Sequence, residues 1–153
     1  MNQYPLVYLD HVQKVYGKHI ALYDVSVNIQ PGRIIGLLGP NGSGKTTIIK
    51  LVNGLLQPTS GNVYIHGEVP SAKTKQVVSY LPDTTYLDEN MKISETLRFF
   101  QDFYKDFNVQ RAYQLLNDLQ LHPEQKLKQL SKGNKEKVQL ILVMRREADL
   151  YIL

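Results

Sequence analysis

Val25, Val27 and Ile29 alternate with Asp24, Ser26, Asn28 and Gln30 in strict period two, which predicts an antiparallel strand with one face toward solvent. Leu6-Val7-Tyr8-Leu9 predicts an earlier strand. After a turn at Pro31-Gly32 the pattern changes. Ile34-Ile35-Gly36-Leu37-Leu38 is a short continuous apolar run, of the kind buried on both faces of a parallel sheet. Three glycines and a proline then fall between Gly39 and Gly44, and Ile48, Ile49, Leu51 and Val52 supply the apolar side of a helix ending near Asn53-Gly54. Turns at Pro58 to Gly61 and at His66-Gly67 bracket a strand at Val63-Tyr64-Ile65, and Val77 to Leu81 reads as the next strand, closed by Pro82.

The second half is helical in period. With Ser94 as N-cap, Leu97, Phe100, Phe103, Tyr104 and Phe107 fall close to one face, and Val109, Tyr113, Leu116 and Leu119 repeat the pattern before Pro123. These aromatics are expected in the core. Ser131 opens a further helix whose middle, Val138 to Met144, is apolar nearly all round and is expected to be buried. Leu150-Tyr151-Ile152-Leu153 reads as an apolar strand. No internal repeat and no low-complexity linker interrupts the order.

Composition narrows the class. In 153 residues, 42% hydrophobic and 21% charged positions describe one globular domain and exclude a disordered, collagenous or coiled-coil chain. No apolar run reaches the length of a membrane span, and Asp10 and His11 close the short apolar N-terminal patch, so neither a span nor a signal peptide is expected and the chain should stay in the cytoplasm. The absence of cysteine excludes disulfides and thiolate metal sites and fits a reducing compartment. The net charge of +4 lies in residues 123–147, which hold seven Lys or Arg against three Glu. Interleaved at helical spacing, they read as a solvated helix face, with an anion-facing helix end as the functional alternative. No basic stripe carries interleaved aromatics, so nucleic acid is not expected as a partner.

Gly39-Pro40-Asn41-Gly42-Ser43-Gly44-Lys45-Thr46-Thr47 matches G-x-x-x-x-G-K-[ST] between a predicted strand and a predicted helix, the context that turns the pattern into a mechanism. Glycines let successive N–H groups point inward around a phosphate, and the helix beginning near Lys45 adds its positive end. Lys45 is placed to reach the β- and γ-phosphates of a nucleotide, Thr46 to ligate the Mg²⁺ that bridges them, and Thr47 to bond the α-phosphate.

With this loop in place, the remaining features resemble, over the whole chain, the ATP-binding subunits of the ATP-binding cassette (ABC) transporters. Tyr16, in Val15-Tyr16-Gly17, resembles the aromatic that stacks on adenine. Leu55 to Gly67 resembles the family's connection after the phosphate-loop helix. Ser79-Tyr80-Leu81-Pro82-Asp83 resembles the segment where the family usually has a Gln that touches Mg²⁺ and the attacking water; Asp83 holds that place, with a shorter stem. Leu130-Ser131-Lys132-Gly133-Asn134 is similar to the signature Leu-Ser-Gly-Gly-Gln, keeping Ser131 and Gly133, in a variant like that of small bacterial exporters. Ser131 also reads as an ordinary N-cap; the two roles are compatible.

The resemblance implies an α/β P-loop NTPase core of ABC type with an N-terminal antiparallel β subdomain and an inserted α-helical subdomain. It implies one partial ATP-binding domain over 1–153: β subdomain and P-loop core over 1–85, helical subdomain over 86–130, and signature helix with the start of the Walker B strand over 131–153. It also implies ATP and Mg²⁺ as ligands, transmembrane permease subunits as partners, and a second cassette, identical or different, paired head to tail so that Ser131 and Gly133 close over the partner's ATP. The location implied is the inner face of the cell membrane, peripherally bound. Leu150 to Leu153 match the four apolar residues before the family's Asp-Glu pair, and none of His11, His19, His66 and His122 stands where the family's switch histidine does. The expectation is therefore a gene fragment, truncated product or incomplete reading frame, missing the C-terminal part of the core and hydrolysing ATP negligibly alone. Two alternatives are a non-hydrolytic ATP-binding module that pairs with a full cassette, and a soluble cassette ATPase acting on ribosomes or DNA. The latter usually carries two cassettes or a long coiled-coil insertion, and neither is present.

Overall fold

The computed structural model describes residues 4–82 and 87–153. The chain forms two compact units, residues 1–78 and 79–153. In the first, β1 (Val7–Tyr16) and β2 (His19–Ile29) form a hairpin, and β3 (Ser60–Ile65) pairs with the other edge of β1, giving the antiparallel order β2-β1-β3. Alternating burial along β1 and β3 sets the faces. Val7, Leu9, Val63 and Ile65 are buried, while Tyr8, Asp10, Asn62 and Tyr64 between them lie on the other face. Helix α1 (Lys45–Val52) contributes the buried Leu51 and Val52 to this unit, and the short α2 (Thr74–Val77) follows.

Strand β1 runs well beyond the predicted Leu6–Leu9. Register shifts near His11 carry it to Tyr16, with His11 and Asp24 at φ +47° and +48°. Their side chains meet across the irregularity, His11 Nδ1 to Asp24 Oδ1 at 2.6 Å.

The predicted buried strand at Ile34–Leu38 is corrected. The segment has no ladder partner in either described sheet, and Ile34 and Leu38 are 104% and 91% exposed. An apolar run becomes a strand only where neighbours accept its N–H and C=O groups, and among the described residues none does so here.

The second unit packs α3 (Ile93–Phe103), α4 (Val109–Asp118) and α5 (Lys132–Met144) around a core that includes Ile93, Leu97, Phe100, Phe107, Leu116, Leu127, Val138 and Ile141. Strand β4 (Val78–Tyr80) enters this unit and pairs with β5 (Leu150–Ile152); beyond β4, Leu81 N–H donates to Ile152 O at 2.8 Å.

Three expectations are revised here. Helix α3 is capped at Lys92 rather than Ser94, because Ile93 N–H and Ser94 N–H donate to the carbonyls of Gln125 and Pro123 and Glu95 Oε2 accepts from Lys92 N–H at 2.7 Å. Ser94 Oγ instead bonds Glu124. Phe103 is exposed, stacked on Phe99, since the helix ends there and the chain turns so that Tyr104 and Phe107 take the core places. Helix α5 buries Val138, Ile141, Leu142 and Val143, whereas Leu140 and Met144 on its other side face out.

Candidate phosphate-binding site

The loop between Gly39 and α1 is built around backbone conformations that side chains disfavour. Gly42 and Gly44 sit at φ +83° and +89°, and a Cβ at Gly44 would lie 2.6 Å from Leu22 Cδ2 and 2.8 Å from Ala21 O. Ser43 N–H closes a turn onto Pro40 O at 3.2 Å. The helical ladder begins with Ile48 N–H donating to Gly44 O, so the N–H groups of Lys45, Thr46 and Thr47 lie ahead of it. No side chain caps α1 and no acidic residue occupies its first turn. Among the described residues, then, neither a capping side chain nor a first-turn acid offsets the positive helix end, which suits a phosphate.

The Lys45 ammonium folds back over this end. Its Nζ donates to Gly39 O and Pro40 O at 2.7 Å each, and lies 3.4 Å from Ser43 Oγ. Two carbonyls thus hold the cation at the mouth of the loop, beside Asn41 and Ser43, which are exposed. Thr46 is exposed in the first turn and Thr47 half-buried. A divalent cation fits such a site on one condition. Among the described residues no group of three or more His, Asp or Glu converges, so protein oxygen would come from single donors such as the Thr46 hydroxyl, with phosphate and water completing the shell, the usual habit of Mg²⁺.

Tyr16 ends β1 and is 45% exposed. Lys14 Nζ lies 5.2 Å from its ring centroid and also donates to Gln57 O at 2.8 Å, so a cation rests over the ring. Lys14 pairs with Leu22 and Tyr16 with His19 in the hairpin. Because Ala21 and Leu22 are also the groups against which Gly44 packs, one stretch of β2 locates both the aromatic and the phosphate loop. Sequence reading missed Lys14, Gln57 and Leu22 as supporting residues. Only Lys14 left a signal, two positions before Tyr16 in a strand and so on the same face.

Ser131 and Gly133 lie in the other unit. Ser131 is the N-cap of α5, its Oγ accepting from Asn134 N–H at 3.3 Å. Gly133 is exposed, and a Cβ there would meet nothing within 4 Å, so the fold of this chain does not itself demand glycine. The Lys132 side chain is 92% exposed beside Glu136. The far end of α5 is anchored by Ser79 Oγ, which donates to Val143 O, and by Arg146, which is paired with Asp106 at 3.1 Å and lies 4.0 Å from the Tyr104 ring centroid. Asp83 lies outside the described residues. No helix among those described is long and apolar enough to cross a membrane.

The family model for the ABC transporter matches residues 22–153. The chain is 34% identical over 155 residues to the SkfA peptide export ATP-binding protein SkfE of Bacillus subtilis (strain 168), covering 97% of this chain and 64% of that protein. It is 31% identical over 154 residues to the zinc import ATP-binding protein ZnuC of Haemophilus influenzae, covering 99% of this chain and 54% of that one. A solved structure of an ATP-binding subunit of an ABC transporter superposes with a TM-score of 0.85 at 28% identity, over 95% of this chain and 64% of that one. The chain therefore spans between 54% and 64% of the length of these three proteins.

Proposed function

The chain belongs to the ABC transporter family, and on that premise we propose that it is the ATP-binding portion of a transporter's motor subunit, holding ATP at the loop Gly39 to Thr47. What carries this reading is the uncapped, acid-free start of α1 behind a glycine loop, with Lys45 folded over it. Backbone N–H groups of the loop and of the first turn of α1 bind the β-phosphate. Lys45 exchanges its carbonyl partners for β- and γ-phosphate oxygens, and Thr47 bonds the α-phosphate. Tyr16 stacks on the adenine through the ring face that Lys14 leaves open. Thr46 would hold a Mg²⁺ ion, with Asp83 as a second candidate, and the ion would supply charge neutralisation to the bound triphosphate.

Ser131 and Gly133 act on a different nucleotide, that of a second cassette paired head to tail. The open surroundings of Gly133 support this reading, since they leave room for a partner's phosphate against the helix end. The further partners are permease subunits, which would hold the protein on the inner face of the membrane. Relatives carry both export and import names, so the export reading rests on the signature variant Leu130 to Asn134. Within the motor, this portion supplies phosphate binding and charge stabilisation.

The test is nucleotide binding by calorimetry together with phosphate release. The intact chain should bind ATP with Mg²⁺, and Lys45→Ala should weaken binding about 10- to 100-fold, the effect of losing a charge-assisted contact. Equal affinity in the variant would remove Lys45 from the site. Any steady phosphate release by the intact chain should be abolished by Lys45→Ala.

A further inference from the structure

The three-stranded sheet has a second face that the nucleotide reading leaves unused. Tyr8 lies directly across from Tyr64 on one side and Asn28 on the other, forming a row over the three strands. The Tyr8 and Tyr64 rings are 6.1 Å apart between centroids and nearly parallel, at 13°. Tyr4, outside every strand, rises beside this row and is 72% exposed. Its ring packs against Gly67, where a Cβ would approach Tyr4 Cδ1 to 3.2 Å and where φ is +79°, so a side chain at 67 would push the ring away. Together Tyr4, Pro5, Tyr8, Asn28, Tyr64 and Gly67 line a cleft of about 350 Å³, the lower end of the range of small-molecule sites.

A cross-strand tyrosine pair stabilises a sheet on its own. It does not explain Tyr4, which adds a third ring without joining the ladder. Nor does it explain the electrostatics. Tyr8 Oη donates to Asp10 Oδ1 at 3.1 Å, and a phenol bonded to a carboxylate has a more electron-rich ring. The same interaction holds the Tyr8 hydroxyl above its ordinary pKa. Among the described residues no basic side chain lines the cleft. Three tyrosine rings, a carboxylate bonded to the hydroxyl of one of them and no basic side chain among the lining residues are complementary to a positive, weakly hydrated group.

We propose that this cleft binds a small organic ammonium ion, resting against the rings of Tyr4, Tyr8 and Tyr64 and attracted by Asp10. Asn28 rims the mouth as a neutral polar group and places no charge of its own against the ligand. The site is separate in residues from the phosphate loop and does not rest on nucleotide binding.

The experiment titrates the full chain, with its tyrosine rings isotopically labelled, with choline chloride and with the uncharged tert-butyl isostere of choline, following ring resonances by NMR. Choline should shift the Tyr8 and Tyr64 signals saturably with a dissociation constant on the order of millimolar, and the isostere should bind about fivefold more weakly or worse. Tyr64→Phe should retain binding, while Tyr4→Ala and Tyr64→Ala should each weaken it about two- to fivefold. Tyr4 lies outside the ladder, so Tyr4→Ala keeps the sheet intact even if Tyr64→Ala loosens it. Equal response to choline and the isostere, no response to either, or undiminished binding in Tyr4→Ala would each overturn the proposal.

Discussion

A methyl group at position 44 would have to share space with Leu22 Cδ2 and Ala21 O, at a backbone φ of +89°. Both strain and collision oppose it, so Gly44→Ala should cost about 1–3 kcal/mol, measured by urea denaturation, and weaken ATP binding as well. A second residue-scale prediction concerns His11. Its hydrogen bond with the Asp24 carboxylate, and the charge of that carboxylate, raise its pKa above the ordinary 6.5. A raised histidine pKa means that the folded state holds the proton more tightly. The stabilisation is fully present below about pH 6.5 and is lost as pH rises through the folded-state value. His11 should therefore titrate above 6.5 by NMR in the intact chain, and Asp24→Asn should return it toward that value. Both side chains are largely exposed, so the effect on melting temperature should be small.

Among the elements, α5 shows how far an end can be fixed by groups distant in sequence. Arg146 is nearly buried, its guanidinium against the Asp106 carboxylate and the Tyr104 ring. Asp106→Ala removes that carboxylate from a nearly buried guanidinium and should cost about 2–3 kcal/mol, discounted from a fully buried pair because Asp106 is partly exposed. Urea denaturation of this variant against wild type measures it; a change within 0.5 kcal/mol, the ordinary scatter for surface substitutions, would contradict it. The same contrast between near and distant partners governs what the sequence alone conveys. The phosphate loop was legible because nine consecutive residues carry it, and α1 was legible because its cap region and apolar face are local. Parts of β1 and β2 were legible, at Leu6–Leu9 and over 24–30, but not their length or their pairing as a hairpin, since the irregularity at His11 depends on Asp24 and Ser26 across the strand pair. The start of α3 was misplaced by two residues because the carbonyls that satisfy it come from Pro123 and Gln125. Tyr16 could be picked out by its place before the loop, but the Lys14 and Gln57 contacts around it needed coordinates.

At the scale of the molecule, the connection from β2 to α1 is exposed throughout residues 30–43 and includes Arg33. A segment without ladder bonds or burial can enter a protease active site, and Arg33 is a trypsin residue. Limited trypsin treatment should cut after Arg33 early. The cut frees β1 and β2 from the rest of the chain covalently, yet β3, on the far side of the cut, still pairs with β1 from Val7 to Gln13. The nicked protein should elute as one species in native chromatography and run as two bands on a denaturing gel; separation of the pieces under native conditions would contradict this. The hairpin and the remainder could then be supplied as two synthetic halves. Mixing residues 1–33 with residues 34–153 becomes a complementation assay, in which recovery of ATP binding reports how much of the site is assembled by strand pairing rather than by chain continuity.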